Sequence, residues 1–219
     1  MFIDHCLRRR YGVELTYYGA NCLRVATKKA QVVVDDNLDQ LGLKSVTKPN
    51  DISLRTFSGI PRHESRFAAD MPGEYEISGV VIHGVAARAH MDKEGKHSAT
   101  IYTIQADDLK LAVLGHIYPN LSEEQLEQIG TIDVVVIPVG DSGYTMDGIG
   151  ALKVIKQIEP KVVIPTHYAD KAVKYEVPQM ELAEALKNLA MEPSETVDKY
   201  RPKLTDLTDT TKLIALERQ

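Results

Sequence analysis

Cysteine is scarce in this chain, and the scarcity is a first constraint. Cys6 and Cys22 are the only two, too few for a disulfide framework and too widely spaced for a Cys-x-x-Cys site, so both read as ordinary thiols in a reducing compartment. No apolar run approaches the ~20 residues that a membrane span needs. The N-terminus lacks the order of a secretory signal, because the basic cluster Arg8-Arg9-Arg10 follows a very short apolar run that Asp4 interrupts. Together these absences predict a cytoplasmic protein with no membrane partner. An excess of positive charge is also missing: 31 acidic against 26 basic residues leave a net charge of −5, which excludes the usual signature of a general nucleic-acid binder. No internal repeat or low-complexity tract interrupts the chain.

What is there is the composition of an ordinary globular protein, 43% hydrophobic and 26% charged. A chain of 219 residues buries about 70% of its unfolded surface, and one domain over residues 1–219 is the expectation. The first half reads as short strands rich in Val, Ile, Thr and Tyr: Val13 to Tyr18, Cys22 to Ala26, Val32 to Asp35, Ile52 to Phe57, Gly73 to Ile77, Val80 to Val85, Ala99 to Gln105 and Leu109 to Leu114.

From Leu121 the pattern changes. Ser122-Glu123-Glu124-Gln125 is a capping box that opens a short helix ending near Gly130. Asp133 to Ile137 is an unbroken apolar run, as in a strand buried on both faces. Ile149, Leu152, Ile155 and Ile158 recur at helical spacing until Pro160, and Lys161 to Pro165 is a second buried strand. Residues 133 to 165 therefore predict a βαβ unit with parallel strands. A helix from about Val177 to Ala190, a polar segment and a last strand, Lys212 to Leu216, complete the reading.

Three stretches carry a resemblance to one family. They are Leu15-Thr16-Tyr17-Tyr18-Gly19-Ala20-Asn21-Cys22 followed by Val33-Val34-Asp35; Leu114-Gly115-His116 followed by Ile132-Asp133-Val134-Val135-Val136-Ile137-Pro138-Val139-Gly140; and Pro160-Lys161-Val162-Val163-Ile164-Pro165-Thr166-His167-Tyr168. In order and spacing they resemble the small metallo-β-lactamase-fold hydrolases. The resemblance implies an α/β fold, a four-layer αββα sandwich, with a metal site at one edge built from loops at strand ends.

The metal motif of that family is degenerate here. His-x-His-x-Asp-His follows an Asp-hydrophobic strand in the family. After Asp51-Ile52-Ser53-Leu54-Arg55-Thr56 its ligand positions fall on Phe57, Gly59, Pro61 and Arg62, none of which binds zinc. The family's bridging Asp falls on His116, the Gly-His of the first strand falls on Ala20, and only the terminal His is kept, as His167. A further family His corresponds to His90, one residue out of register. A catalytic zinc needs about three protein ligands and an open position, and it makes water acidic enough to act near neutrality.

The leading expectation is accordingly a relative without metal or other cofactor, non-catalytic, in which Arg62, His116 and His167 bind a small anionic ligand such as a phosphate or carboxylate, with Arg62 as a fixed positive charge. The alternative is a metal-dependent hydrolase whose zinc site is rebuilt from His90, His97, His116 and His167, with His90, His116 and His167 as its compact core. A third reading is a structural subunit of a homo-oligomer. Gly140-Asp141-Ser142-Gly143 looks like a serine-protease nucleophile segment, but nothing else of that chemistry accompanies it. Gly148-Ile149-Gly150 lacks the third glycine of a dinucleotide fingerprint. Asp35-Asp36 reads either as a carboxylate pair or as turn chemistry.

Overall fold

The structure, a computed structural model, describes residues 12–203 and 206–219; Cys6 and the basic cluster lie outside the described residues. Thirteen strands and three helices follow one another along these residues. β1 (Glu14–Gly19), β2 (Cys22–Ala26), β3 (Gln31–Val34), β4 (Ile52–Leu54) and β5 (Phe67–Ala69) form a five-stranded sheet in that order. An eight-stranded sheet runs β12 (Pro193–Val197), β13 (Lys212–Leu216), β11 (Val162–Thr166), β10 (Val134–Pro138), β9 (Leu109–Val113), β8 (Ala99–Ala106), β7 (Val80–Ala87) and β6 (Gly73–Ile77).

Alternation explains how the sheets face each other. Successive side chains of a strand point to opposite faces, so Leu15, Tyr17, Leu23, Val25, Val32 and Val34 of the smaller sheet meet Tyr102, Ile104, Leu111, Val134, Val136 and Ile164 of the larger in one core. The other face of the larger sheet, with Val135, Ile137 and Val163, packs on α1 (Glu123–Ile129), α2 (Gly148–Ile158) and α3 (Leu182–Leu189). The opposite faces of Cys22 and Val33 are covered by Leu38, Leu43 and Val46 from a turn-rich segment rather than from a described helix. Two facing sheets with flanking helices are thus as the resemblance implies.

The βαβ unit forms as read, with Val134↔Val162 and Val136↔Ile164 paired in parallel. Ser122 caps α1 through a complete capping box with Gln125, and Gly130 ends it. Asp147 caps α2, which closes on a left-handed Glu159 before Pro160. Ile149 stands exposed, because Ala151, Val154, Ile155 and Ile158 form the buried stripe. The third helix begins at Leu182 rather than Val177, and the residues before it run as irregular chain along the site described next.

Candidate active site

Strand direction gathers the site. β9, β10 and β11 are mutually parallel, β7 shares their direction through two antiparallel steps, and β3 is parallel to β4 in the other sheet. The chain leaving the C-terminal ends of these strands carries His90, His116, Gly140 and His167 on one side and Asp35, Thr56 and Phe57 on the other. Strand ends of this kind are where α/β folds place ligands.

Beneath the histidines lies a buried hydrogen-bond chain. Thr166 Oγ1 donates to Asn21 Oδ1 at 2.7 Å, Asn21 Nδ2 donates to Asp35 Oδ2 at 2.7 Å, and Asp35 accepts from the Thr56 N–H at 2.7 Å and the Thr56 hydroxyl at 2.6 Å. It ties the ends of β11, β2, β3 and β4 together and fixes the neighbours His167 and Phe57. Burial raises the Asp35 carboxyl to about 6, against the bonds from Thr56 and Asn21 that favour its charged form. Ala20, Asp35 and His167 all have left-handed backbone, with φ of 48°, 51° and 58°. Each such non-glycine residue costs about 1–3 kcal/mol, and such strain gathers at functional sites. Asp35 and Asp36 do not form a carboxylate pair, since Asp36 turns to Ser45 and Thr47.

Above this chain the two histidine rings meet edge to face, centroids 5.0 Å apart, with Nε2 of His116 3.3 Å from Nε2 of His167. The tautomer of His167 follows from its partners. Gln179 Nε2 donates to the Val177 carbonyl at 3.0 Å, so Gln179 Oε1 faces His167 Nδ1 at 3.1 Å and Nδ1 carries the proton. The lone pair of His167 is therefore on Nε2, directed at His116. Burial holds His116 well below its ordinary value, with further lowering from His167 and His90, and burial lowers His167 to about 4. Both rings are neutral at neutral pH, as metal ligation requires.

Phe57 packs on His116 with centroids 4.4 Å apart, and Tyr175 lies 5.1 Å from the His167 ring. Gly140 permits the approach of Gln179, because a Cβ there would fall 2.2 Å from Gln179 Oε1 and 2.0 Å from the His167 carbonyl oxygen. The histidines open into a cleft of about 690 Å³ that His90 also lines, within the usual range of small-molecule sites.

The site residues expected from sequence separate here. His90, His116 and His167 share the cleft. His97 is exposed and lines a neighbouring cavity of about 410 Å³ instead. Arg62 is not brought to the cleft: its side chain is 71% exposed and bonded to Asp70, which also binds Arg55. The anion pocket of Arg62, His116 and His167 is thus not assembled. Ser142 donates to the Pro178 carbonyl, with no histidine partner among the described residues. Sequence reasoning missed Gln179, Asn21, Thr56 and Thr166. Asn21 and Thr166 lie within the stretches that carry the resemblance, whereas Gln179 sits in a segment read as helix.

Two nitrogens around a tetrahedral ion at ~2.0–2.1 Å stand about 3.3–3.4 Å apart, so the His116–His167 pair fits two positions of a borderline cation such as zinc. The ring nitrogens Nδ1 of His90 and His116 are buried without hydrogen-bond partners. Among the described residues no three His, Cys, Asp or Glu side chains are placed to share an ion. The described residues thus bring two donor nitrogens, of His116 and His167, to within reach of one ion.

Comparison with known proteins corrects the leading functional expectation. Over 100 residues the chain is 33% identical to a UPF0173 metal-dependent hydrolase of Thermococcus onnurineus and, again over 100 residues, 33% identical to one of Pyrococcus horikoshii; each match covers 44% of this chain and 44% of the relative. The matched stretch thus spans less than half the length of these relatives. A crystal structure from Thermotoga maritima, described provisionally as a Zn-dependent hydrolase of the metallo-β-lactamase superfamily, superposes with a TM-score of 0.72 at 24% identity over 94% of this chain and 100% of its own. A metal-dependent hydrolase from Parabacteroides distasonis, also provisionally described, gives 0.63 at 16% identity over 94% of each.

The fold is that of the metallo-β-lactamases, two mixed sheets with flanking helices. The reading of a metal-free, non-catalytic anion binder is overturned by the names of these relatives. Its physical error was to set the Arg62 guanidinium in the cation's place, when that side chain is exposed and paired with Asp70 and the two neutral histidines converge in the cleft without it. Residues 14–167 match the β-lactamase superfamily domain, and the chain belongs to that family.

Proposed function

We propose that the chain is a metal-dependent hydrolase whose cation is held by His116 and His167, with His90 as the third donor. The observation that carries this reading is the 3.3 Å approach of two neutral Nε2 atoms, one of them fixed in tautomer by Gln179. Metal-bound histidines generally donate their second ring N–H to an oxygen acceptor that fixes the tautomer, and Gln179 Oε1 is such an acceptor for His167. When bound, a divalent cation supplies Lewis acidity and lowers the pKa of water to about 7.

The chain's own residues do the rest. Burial keeps the imidazoles unprotonated near neutral pH, and Gln179 holds the proton on His167 Nδ1 away from the cleft. Phe57 and Tyr175 flank the pair with tilted rings and limit water around it. The Thr166–Asn21–Asp35–Thr56 chain holds both sheets' strand ends in register beneath it, so that the histidines are pre-positioned rather than gathered by the ion.

Elemental analysis of protein purified without chelator tests the proposal. About one zinc, manganese or iron per chain is expected, with metal and reporter-ester hydrolysis lost together in His116→Ala and in His167→Ala. A chain that takes up none of these ions even on titration ends the reading.

A further inference from the structure

The charge and apolar character of the cleft point to the class of molecule that enters it. Lys96 is the only lysine or arginine among the lining residues, and its Nζ is engaged 3.1 Å from Asp92. Glu176 adds a carboxylate to the wall. Apart from a bound ion, nothing on this surface compensates an anionic group, and the chain as a whole is acidic.

Its apolar groups, by contrast, are unusually open. Of the six large hydrophobic side chains that stand exposed among the described residues, Met91 at 69% and Tyr144 at 40% both lie on this cleft. Leu41, Phe57 and Val177 line it further in. Exposed apolar area concentrated at a concave site marks binding rather than chance, and an unbranched methionine adapts to chains of varied shape.

We infer, building on the hydrolase reading above, that the cleft takes an uncharged carboxylic ester or amide bearing an alkyl chain or ring, and that Met91 and Tyr144 grip that apolar group. In the reaction, water adds across the acyl bond: the acyl carbon gains the hydroxyl, and the leaving alcohol or amine takes the proton. Phosphate esters are the disfavoured class.

Two arms test this separately from the hydrolase reading. In the binding arm, the intact metal-loaded chain is titrated with hexanamide and with hexanesulfonate, which share a six-carbon skeleton and differ in charge, and binding is read before any measurable hexanamide is hydrolysed. Hexanamide is expected to bind at least tenfold tighter, and Met91→Ser and Tyr144→Ser each to weaken it severalfold at unchanged metal content. Equal or tighter hexanesulfonate binding, no binding of either probe, or variants that bind hexanamide like the parent overturns the inference.

In the turnover arm, kcat/KM is expected to climb from p-nitrophenyl acetate through butanoate to hexanoate and to exceed that for p-nitrophenyl phosphate by at least tenfold. Preference for the phosphate overturns the inference. Tight hexanamide binding with no ester cleaved leaves the cleft's preference standing and ends the hydrolase reading alone.

Discussion

Nε2 of His116 stands 3.3 Å from Nε2 of His167, while the other nitrogen of His167 is tethered 3.1 Å from Gln179. The tether decides which nitrogen is free to ligate. In Gln179→Leu the acceptor disappears and His167 Nδ1–H is left buried without a partner. Zinc affinity should fall about 10–100-fold, read by competition with a chromophoric chelator, with folding stability down by about 1–3 kcal/mol. Gln179→Glu, which keeps an acceptor oxygen, should recover most of the affinity. If leucine and glutamate variants bind zinc equally, the tether has no part in ligation.

Acidification should destabilise the metal-free chain between pH 6.5 and 4. His116 and His167 are both lowered by burial, His167 to about 4. Over that window the unfolded chain takes up protons that the folded chain refuses, so stability present at neutral pH is lost as pH falls, by roughly 3 kcal/mol for His167. Asp35 has the opposite sign. Raised to about 6, it binds its proton first in the folded state and favours folding as pH falls from 6 towards 3.8, by a similar amount. One carboxyl offsets one imidazole, and the second imidazole leaves a net loss. Urea midpoints of chelated protein at pH 7.5, 6 and 5 measure it, and His167→Asn should flatten the curve. A midpoint that rises on acidification contradicts this assignment.

How far this was legible in sequence depended on locality. The βαβ unit was readable because Val134–Pro138 and Val162–Thr166 are buried on both faces and a capped helix separates them. β5 and β12 were missed because Phe67–Ala69, though apolar, is only three residues long and too short to show a period, and Pro193–Val197 is mostly exposed and polar. His116 and His167 announced themselves at the ends of strong strands. Arg62 misled because motif spacing says nothing of where a side chain points. Gln179 was hidden because its role depends on a contact with His167 across a non-helical stretch that the helical periodicity overran.

Arg62 and Arg55 share Asp70 but differ in burial, with side chains 71% and 7% exposed. Arg62→Ala removes a solvated ion pair and should cost at most about 1 kcal/mol, with zinc affinity unchanged. Arg55→Ala also strips the buried Ile60 carbonyl of its 2.9 Å donor and leaves Asp70 with its exposed partner alone. A loss of about 2–4 kcal/mol is expected in chemical denaturation. Equal losses from the two substitutions would show that Arg62 has a role its exposed position does not explain.

A close contact between Gly115 and Thr56 seats His116. Gly115 has a φ of +59°, and a Cβ on it would fall 2.1 Å from Thr56 Oγ1 and 2.4 Å from Thr56 Cβ. Thr56 cannot retreat freely, since its N–H and hydroxyl are both bonded to Asp35. Gly143, with a φ of +78°, has nothing within 4 Å of the same hypothetical atom. Both alanine variants pay the left-handed backbone penalty of about 1–2 kcal/mol; only Gly115→Ala also drives a methyl into a fixed neighbour, which adds about 1–3 kcal/mol of overpacking. Gly115→Ala should therefore be the less stable by denaturant midpoint, and it should lose zinc affinity because the displaced backbone carries His116. Gly143→Ala should bind zinc as the parent does. Should both variants lose the same stability and keep the same affinity, Thr56 is not the abutment that positions His116.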